Sequence, residues 1–263
     1  MLGGLIGSKG SAQTDFGEQL LNTVASKSIA HLFSQSESVE VQVRCYPSSK
    51  LLQGSIDSFK MQGKALVIRR QFPVELMSFE TDAVTLDFGS VLQGQIRLKQ
   101  PVQAIAQVVL SEAGINQAFQ AELVQKRLEN VSNPELDAIS GDEPINFANV
   151  QVQLLANNQV HLQATADLPF HGQIPVDVIT TLTVERRRRI GFSQPQFQAV
   201  APDSEAISER LSEAFVNILN GMVDLDRFDL DGVTMRINRL ETEAQKLIFS
   251  GYAQIDHFPK AGG

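Results

Sequence analysis

The sequence predicts an α+β protein in which helices pack against antiparallel sheets. Many short runs alternate apolar and polar residues between turn-forming residues, which is typical of antiparallel strands. Three longer segments place apolar residues three or four positions apart, as amphipathic helices require. These helices separate groups of strands and do not alternate with single strands, so a parallel βαβ sheet is disfavoured.

The first half of the chain begins with a helix predicted over residues 15–34. Asp15 and Glu18 have the spacing of a capping box at its start. Residues 39–45 then alternate apolar and polar side chains, which predicts a half-buried strand. Further strands are predicted near 56–61, 65–70, 74–80, 83–88, 95–99 and 102–110, with turns at Gly54, Gly63, Asp82, Gly94 and Pro101.

A second predicted helix, at 111–129, ends this half, with Ser111 as its N-cap. Residues 131–145 are rich in Ser, Asn, Pro, Asp and Gly and have no period, which predicts a loop.

For the chain as a whole, we expect a flexible tail at 1–14 and one domain over 15–256. Its halves, 15–130 and 146–256, would be joined by that loop.

The second half repeats the pattern of strands, helix and strands. Asn157 and Asn158 indicate a hairpin turn between strands near 150–154 and 160–166. Longer strands are predicted at 173–187 and 189–200. Residues 202–205 favour a helix start, and Gly221 marks the end of the clearest apolar stripe in the chain. The last two strands are predicted at 228–240 and 245–256.

Composition excludes several functional classes. The 263 residues carry a formal charge of −8, which disfavours a nucleic-acid partner. The single cysteine, Cys45, excludes an intrachain disulfide and a multi-cysteine metal site. No secretory signal and no run of 18 apolar residues is evident. We expect a cytoplasmic protein whose relation to any membrane is peripheral or through bound lipid.

Motifs for catalysis and metal binding are missing from the sequence. There is no nucleophile elbow, phosphate-binding loop, dinucleotide fingerprint or zinc-protease motif. The four histidines lack ligand spacing. Four aspartates between 224 and 231 suggest calcium, but Phe228 and Met235 occupy loop positions where oxygen ligands are required. We predict no enzyme activity, no metal and no cofactor other than a bound phospholipid.

Four consecutive arginines at 186–189 lie between two predicted strands. They are either a solvated hairpin tip or a contact for anionic lipid headgroups. Alternate residues of a strand point to opposite faces, so two of the four would meet phosphates together. Arg187 and Arg189 are our candidates for that role.

The segment LLQGSIDSFKMQGKALVI, with landmarks at Leu52, Gly54, Ile56, Asp57 and Phe59, resembles the LmeA-like phospholipid-binding family of bacterial proteins. The similarity covers most of 16–256. It continues through DAVTLDFGSVLQGQIRLKQP, VVLSEAGINQAF, LDGVTMRINRLE and KLIFSGYAQID. The resemblance implies a tubular lipid-binding fold, in which long curved antiparallel sheets wrap helices around an apolar groove. The export signal of better-known relatives is not evident here.

The resemblance implies a non-enzymatic phospholipid-binding or lipid-transfer protein that holds acyl chains between helices and sheet. Its partners would be phospholipid and a peripheral membrane surface. The residues expected to line the groove are Phe16, Leu20, Val24, Ile115, Phe119, Leu211, Phe215 and Ile218.

Periodicity alone favours a closed core over a groove, and only the family resemblance reverses that preference. The alternative is a scaffold or assembly factor that binds a protein partner without lipid. A lipid-modifying enzyme ranks third, because no nucleophile and base can be nominated.

Overall fold

A computed structural model describes residues 16–47, 49–87, 89–90, 93, 97–198, 205–227 and 232–257. The helices are α1 (Phe16–Ala30), α2 (Ser49–Leu52), α3 (Glu112–Phe119), α4 (Glu122–Gln125), α5 (Pro134–Ser140) and α6 (Glu205–Met222). The strands are β1 (Ser38–Arg44), β2 (Ser55–Ile56), β3 (Ser58–Ile68), β4 (Phe72–Thr81), β5 (Val84–Thr85), β6 (Val102–Ser111), β7 (Asn146–Leu154), β8 (Gln159–Leu168), β9 (Gly172–Glu185), β10 (Arg189–Phe197), β11 (Val233–Glu243) and β12 (Lys246–Ile255).

The strands form two main antiparallel sheets. The larger has the order β1-β3-β4-β6-β12-β11, and the smaller has the order β10-β9-β8-β7. A short pair, β2 and β5, forms a third sheet next to the larger one's β1 end. Every strand pair that the structure describes is antiparallel. The α+β class predicted from the sequence is therefore confirmed.

Two apolar cores share this framework. A large core joins both main sheets with α6 and includes buried residues from β4, β6 and every strand of the smaller sheet. A small core lies under α1 and collects residues from β1, β2, β3, β5 and the start of β6. Each core therefore has its own covering helix, α6 for the large core and α1 for the small one.

The loop predicted at 131–145 contains a helix, α5, so that prediction is wrong. Its caps were present in the sequence. Asn133 caps the start through its side chain, Pro134 occupies the first turn, and Gly141 ends the helix at φ 72°. The helix buries Leu136 in the large core. With seven residues it is too short to show a helical period.

Two other predictions need correction. The helix predicted at 111–129 stops at Phe119, and a separate short helix follows. The turn predicted at Gly63 is interior to β3, where the missing Cβ leaves room for the side chain of Leu66, whose Cδ atoms lie 2.8 Å from that Cβ position. The hairpin turn at Asn157 and Asn158 is confirmed, since both residues have positive φ angles.

Several predictions lie outside the described residues. They concern the tail at 1–14, Asp15, the turn at Gly94, the helix start at 202–204 and residues 228–231.

Candidate functional site

A small apolar cavity lies between α1 and the sheet that it covers. Its lining draws on α1, the five strands of the small core, the ends of β4 and β12, and two residues outside the strands. The lining residues are Leu21, Ala25, Val43, Ile56, Phe59, Thr81, Val84, Leu86, Leu98, Val102 and Ile255. The hydroxyl of Thr81 donates to the backbone oxygen of Asp82 at 2.8 Å, so this polar side chain has its own partner. The surface of the cavity is therefore apolar.

The cavity has a volume of about 20 Å³. A cavity of this size is large enough for about one water molecule. An acyl chain does not fit unless the covering helix or the side chains move.

A polar stripe on α1 binds the outer edge of the larger sheet. Glu18 Oε1 accepts a hydrogen bond from the backbone N–H of Cys45 at 2.6 Å. One and two turns later, the oxygens of Asn22 and Ser26 accept from Val43 at 2.6 Å and from Val41 at 3.2 Å. The helix thereby satisfies N–H groups that an edge strand leaves unpaired.

Geometry explains why this stripe fits the strand. Four residues of helix rise about 6 Å, and two residues of strand rise about 6.6 Å. Side chains at every fourth helical position therefore meet every second N–H of an antiparallel edge strand. Glu18 has the spacing of a capping box with Asp15, which lies outside the described residues. In the structure Glu18 accepts a hydrogen bond from Cys45, the residue that follows β1.

The adjacent face of α1 is apolar and closes the cavity. Leu21, Ala25 and Ile29 are buried in the small core. Of the α1 residues predicted to line a groove, Val24 is half-buried and the side chains of Phe16 and Leu20 lie outside the described part of the chain. Because both 20–21 and 24–25 are apolar, periodicity alone does not fix which stripe faces the sheet.

The same edge contact recurs on α3. Glu112 Oε2 accepts from Leu154 N–H at 2.7 Å, and Asn116 bonds both the N–H and the oxygen of Val152 at 2.8 Å. Here β7, the outer strand of the smaller sheet, is the edge that is capped. The spacing Glu-x-x-x-Asn thus occurs at 18–22 and at 112–116 with one function. The same spacing also occurs at 129–133 and at 213–217, where Glu213 and Asn217 on α6 are exposed, so the spacing alone does not identify an edge contact.

The predicted lining residues of α3 and α6 pack in the large core. Leu211 and Phe215 are 0% exposed, and the ring of Phe215 lies 5.2 Å from that of Phe147. Ile115, Phe119 and Ile218 are partly buried against the same core. None of the five lines the cavity under α1. Their contact with lipid stays a prediction.

The arginine run forms the tip of the β9–β10 hairpin and is largely paired. Arg189 lies 3.3 Å from Asp224, a buried residue, and Arg188 pairs with Asp226. Arg187 donates to the amide oxygen of Asn238. Headgroup binding by Arg187 and Arg189 stays a prediction, and for Arg189 it would compete with an existing ion pair.

Asp226 also accepts from Arg236 at 2.6 Å. The hydrogen bonds from Arg188 and Arg236 lower the pKa of Asp226. The carboxylate therefore remains ionised and joins the hairpin tip to β11. This part of the arginine run stabilises the contact between the two sheets.

Within the described residues, no three His, Cys, Asp or Glu side chains form a group that could hold a metal ion. No helix in the described part of the chain has the length and hydrophobicity needed to cross a membrane.

Comparison with known proteins places this geometry in context. Residues 12–251 match the model of a family described as LmeA-like phospholipid-binding. No curated protein and no solved structure matches the chain.

Proposed function

Because the chain belongs to the LmeA-like phospholipid-binding family, we propose that it binds phospholipid without catalysis and holds an acyl chain in the cavity under α1. The observation that carries the proposal is the apolar lining of that cavity, which one helix covers at the edge of a sheet. The tubular architecture, with the cavity as part of its apolar groove, belongs to the same proposal.

The energetics favour acyl chains as the occupant. Each CH₂ group moved from water into an apolar site contributes about 0.8 kcal/mol. The lining offers no unpaired charge that such a chain would have to desolvate. The polar headgroup would stay outside, where it keeps its hydration.

Binding requires α1 to move, and its contacts allow this. The helix is held on one side by hydrogen bonds from Val41, Val43 and Cys45, each worth about 0.5–1.5 kcal/mol net. On the other side, the described residues Leu21, Ala25 and Ile29 pack in the small core, and an acyl chain would replace those apolar contacts with similar ones. We propose that α1 tilts about its hydrogen-bonded side while the chain enters.

A matched pair of variants tests this location. Ala25 in α1 and Ala214 in α6 are both buried, each 1% exposed, but only Ala25 lines the cavity. A leucine at either position overfills a core and is expected to cost about 1–3 kcal/mol of stability. Only Ala25→Leu also occupies space that the acyl chain needs.

The measurement is organic extraction of the folded proteins followed by mass spectrometry of the lipids. We expect Ala25→Leu to carry about fivefold less phospholipid per chain than the wild type, the ratio that about 1 kcal/mol produces. Ala214→Leu should carry the wild-type amount. Equal losses in both variants, or no phospholipid in the wild type after exposure to vesicles, would reject the proposal.

A further inference from the structure

An asparagine side chain bonds to the backbone of each outer strand of the two main sheets. The outer strands are β1 and β11 in the larger sheet and β10 and β7 in the smaller one. Asn22 contacts β1 and Asn116 contacts β7, as described above. The contacts at β10 and β11 have the same chemistry.

Asn220, in the last turn of α6, bonds to β10. Its Oδ1 accepts a hydrogen bond from the N–H of Phe192 at 2.6 Å, and its Nδ2 donates to the oxygen of Phe192 at 3.1 Å. Two residues earlier on the same strand, the N–H of Ile190 donates to the oxygen of Val223 at 3.1 Å. The end of α6 and the residue after it therefore pair with two successive outward positions of β10.

Asn158, in the turn between β7 and β8, bonds to β11. Its Oδ1 accepts from the N–H of Thr242 at 2.9 Å, and its Nδ2 donates to the oxygen of Leu240 at 3.1 Å. Farther along the same edge, the N–H of Ile237 donates to the oxygen of Arg187 at 2.6 Å. The hairpin turns of the smaller sheet therefore cover the edge of the larger one.

The carboxamide group explains why asparagine suits these positions. It presents an acceptor and a donor side by side, as the peptide group of a neighbouring strand does. Asn116, Asn158 and Asn220 use both, since each accepts from a backbone N–H and donates to a backbone oxygen. Outward N–H and C=O groups of an edge strand are a template for pairing with another chain. The three amides occupy the positions that an added strand would use.

We infer that Asn116, Asn158 and Asn220 are edge caps, which prevent a second copy of this chain from adding a strand to either sheet. The species that they exclude is an identical edge strand, because its peptide groups offer the same donor and acceptor as the amide that it would replace. The inference goes beyond the proposed function, since it concerns the sheet edges and holds with or without bound lipid.

Two asparagines on α6 give a matched test at the smaller sheet. Asn220→Ala removes the cap of β10, and Asn217→Ala changes an exposed asparagine three residues earlier on the same helix. Hydrogen exchange at the backbone N–H of Phe192 measures whether the edge has opened. Sedimentation velocity over a range of protein concentrations measures self-association.

A second variant tests the larger sheet. Asn158 has a φ angle of 60°, which glycine adopts without strain. Asn158→Gly therefore keeps the turn and removes only the amide that bonds to Thr242 and Leu240. Exchange at the N–H of Thr242 reports the opening of this edge.

We expect the N–H of Phe192 to exchange about tenfold faster in Asn220→Ala, the ratio that loss of about 1.4 kcal/mol produces. Asn220→Ala and Asn158→Gly should form dimers or larger species whose fraction rises with concentration. Asn217→Ala should exchange and sediment like the wild type.

Faster exchange without self-association in the two capping variants would overturn the inference, because the amides would then only stabilise the fold. Equal self-association of Asn217→Ala, or of the wild type, would also overturn it. If Asn220→Ala does not melt cooperatively, the sedimentation of Asn158→Gly decides the outcome.

Discussion

Helices α1 and α6 both cover an antiparallel sheet, but they are held in different ways. Seven residues of α6 are buried, among them Phe215, whose ring lies 5.2 Å from that of Phe147 in β7 and is tilted to it by 37°. Its position depends on apolar packing that involves both sheets. The described side chains of α1 bury only Leu21, Ala25 and Ile29, and three of its polar residues bind the outer strand.

We propose that this difference separates a structural helix, α6, from a movable one, α1. Displacing α6 would open the large core to water, at a cost comparable with the stability of the protein. Displacing α1 would expose a small core, and in our proposal lipid replaces the lost contacts. Two helices that each cover an antiparallel sheet would then have different functions.

Replacing one buried leucine by alanine in each helix should give the largest difference in stability between the two helices. Leu211→Ala in α6 is expected to destabilise the protein by about 2–5 kcal/mol, because a fully buried site leaves a cavity. Leu21→Ala in α1 enlarges an existing cavity and should cost less, particularly with lipid bound. Denaturant unfolding with and without added phospholipid measures both. If added lipid rescues Leu211→Ala and has no effect on Leu21→Ala, the roles of the helices are reversed.

Removal of one polar anchor should have a smaller effect on stability. Asn22→Ala loses the hydrogen bond from Val43 and is expected to cost about 0.5–1.5 kcal/mol. Because that bond holds the covering helix closed, transfer of a fluorescent phospholipid from the protein to vesicles should become faster. Asn116→Ala, which removes the corresponding contact of α3 with Val152, is the control and should leave the transfer rate unchanged. A faster rate in the control alone would contradict the assignment of α1 as the cover.

Local patterns predicted the fold class, because period-two alternation and turn formation depend on residues that are neighbours in the sequence. The turn at Asn157 and Asn158 and the helix containing Leu211 are examples. The helix at Pro134 was missed because its evidence lay in its caps and not in a period.

The candidate site was predicted less well, since it depends on long-range contacts. That Leu21 faces the sheet follows from the bonds of Glu18 and Asn22 to backbone groups more than twenty residues away. Likewise, the stripe containing Phe215 is a core stripe because it packs in the large core, which residues distant in the sequence complete. Periodicity describes one helix face and contains no information about what covers it.

The most direct test of the cavity under α1 is photolabelling with a phospholipid that carries a diazirine in its acyl chain. After irradiation and proteolysis, mass spectrometry identifies the labelled residues. We predict label on the peptides that contain Leu21, Ala25, Ile56 and Val84, which line the cavity. Label concentrated on Leu211 and Phe215 in α6, with none on α1, would contradict the proposed location of the acyl chain.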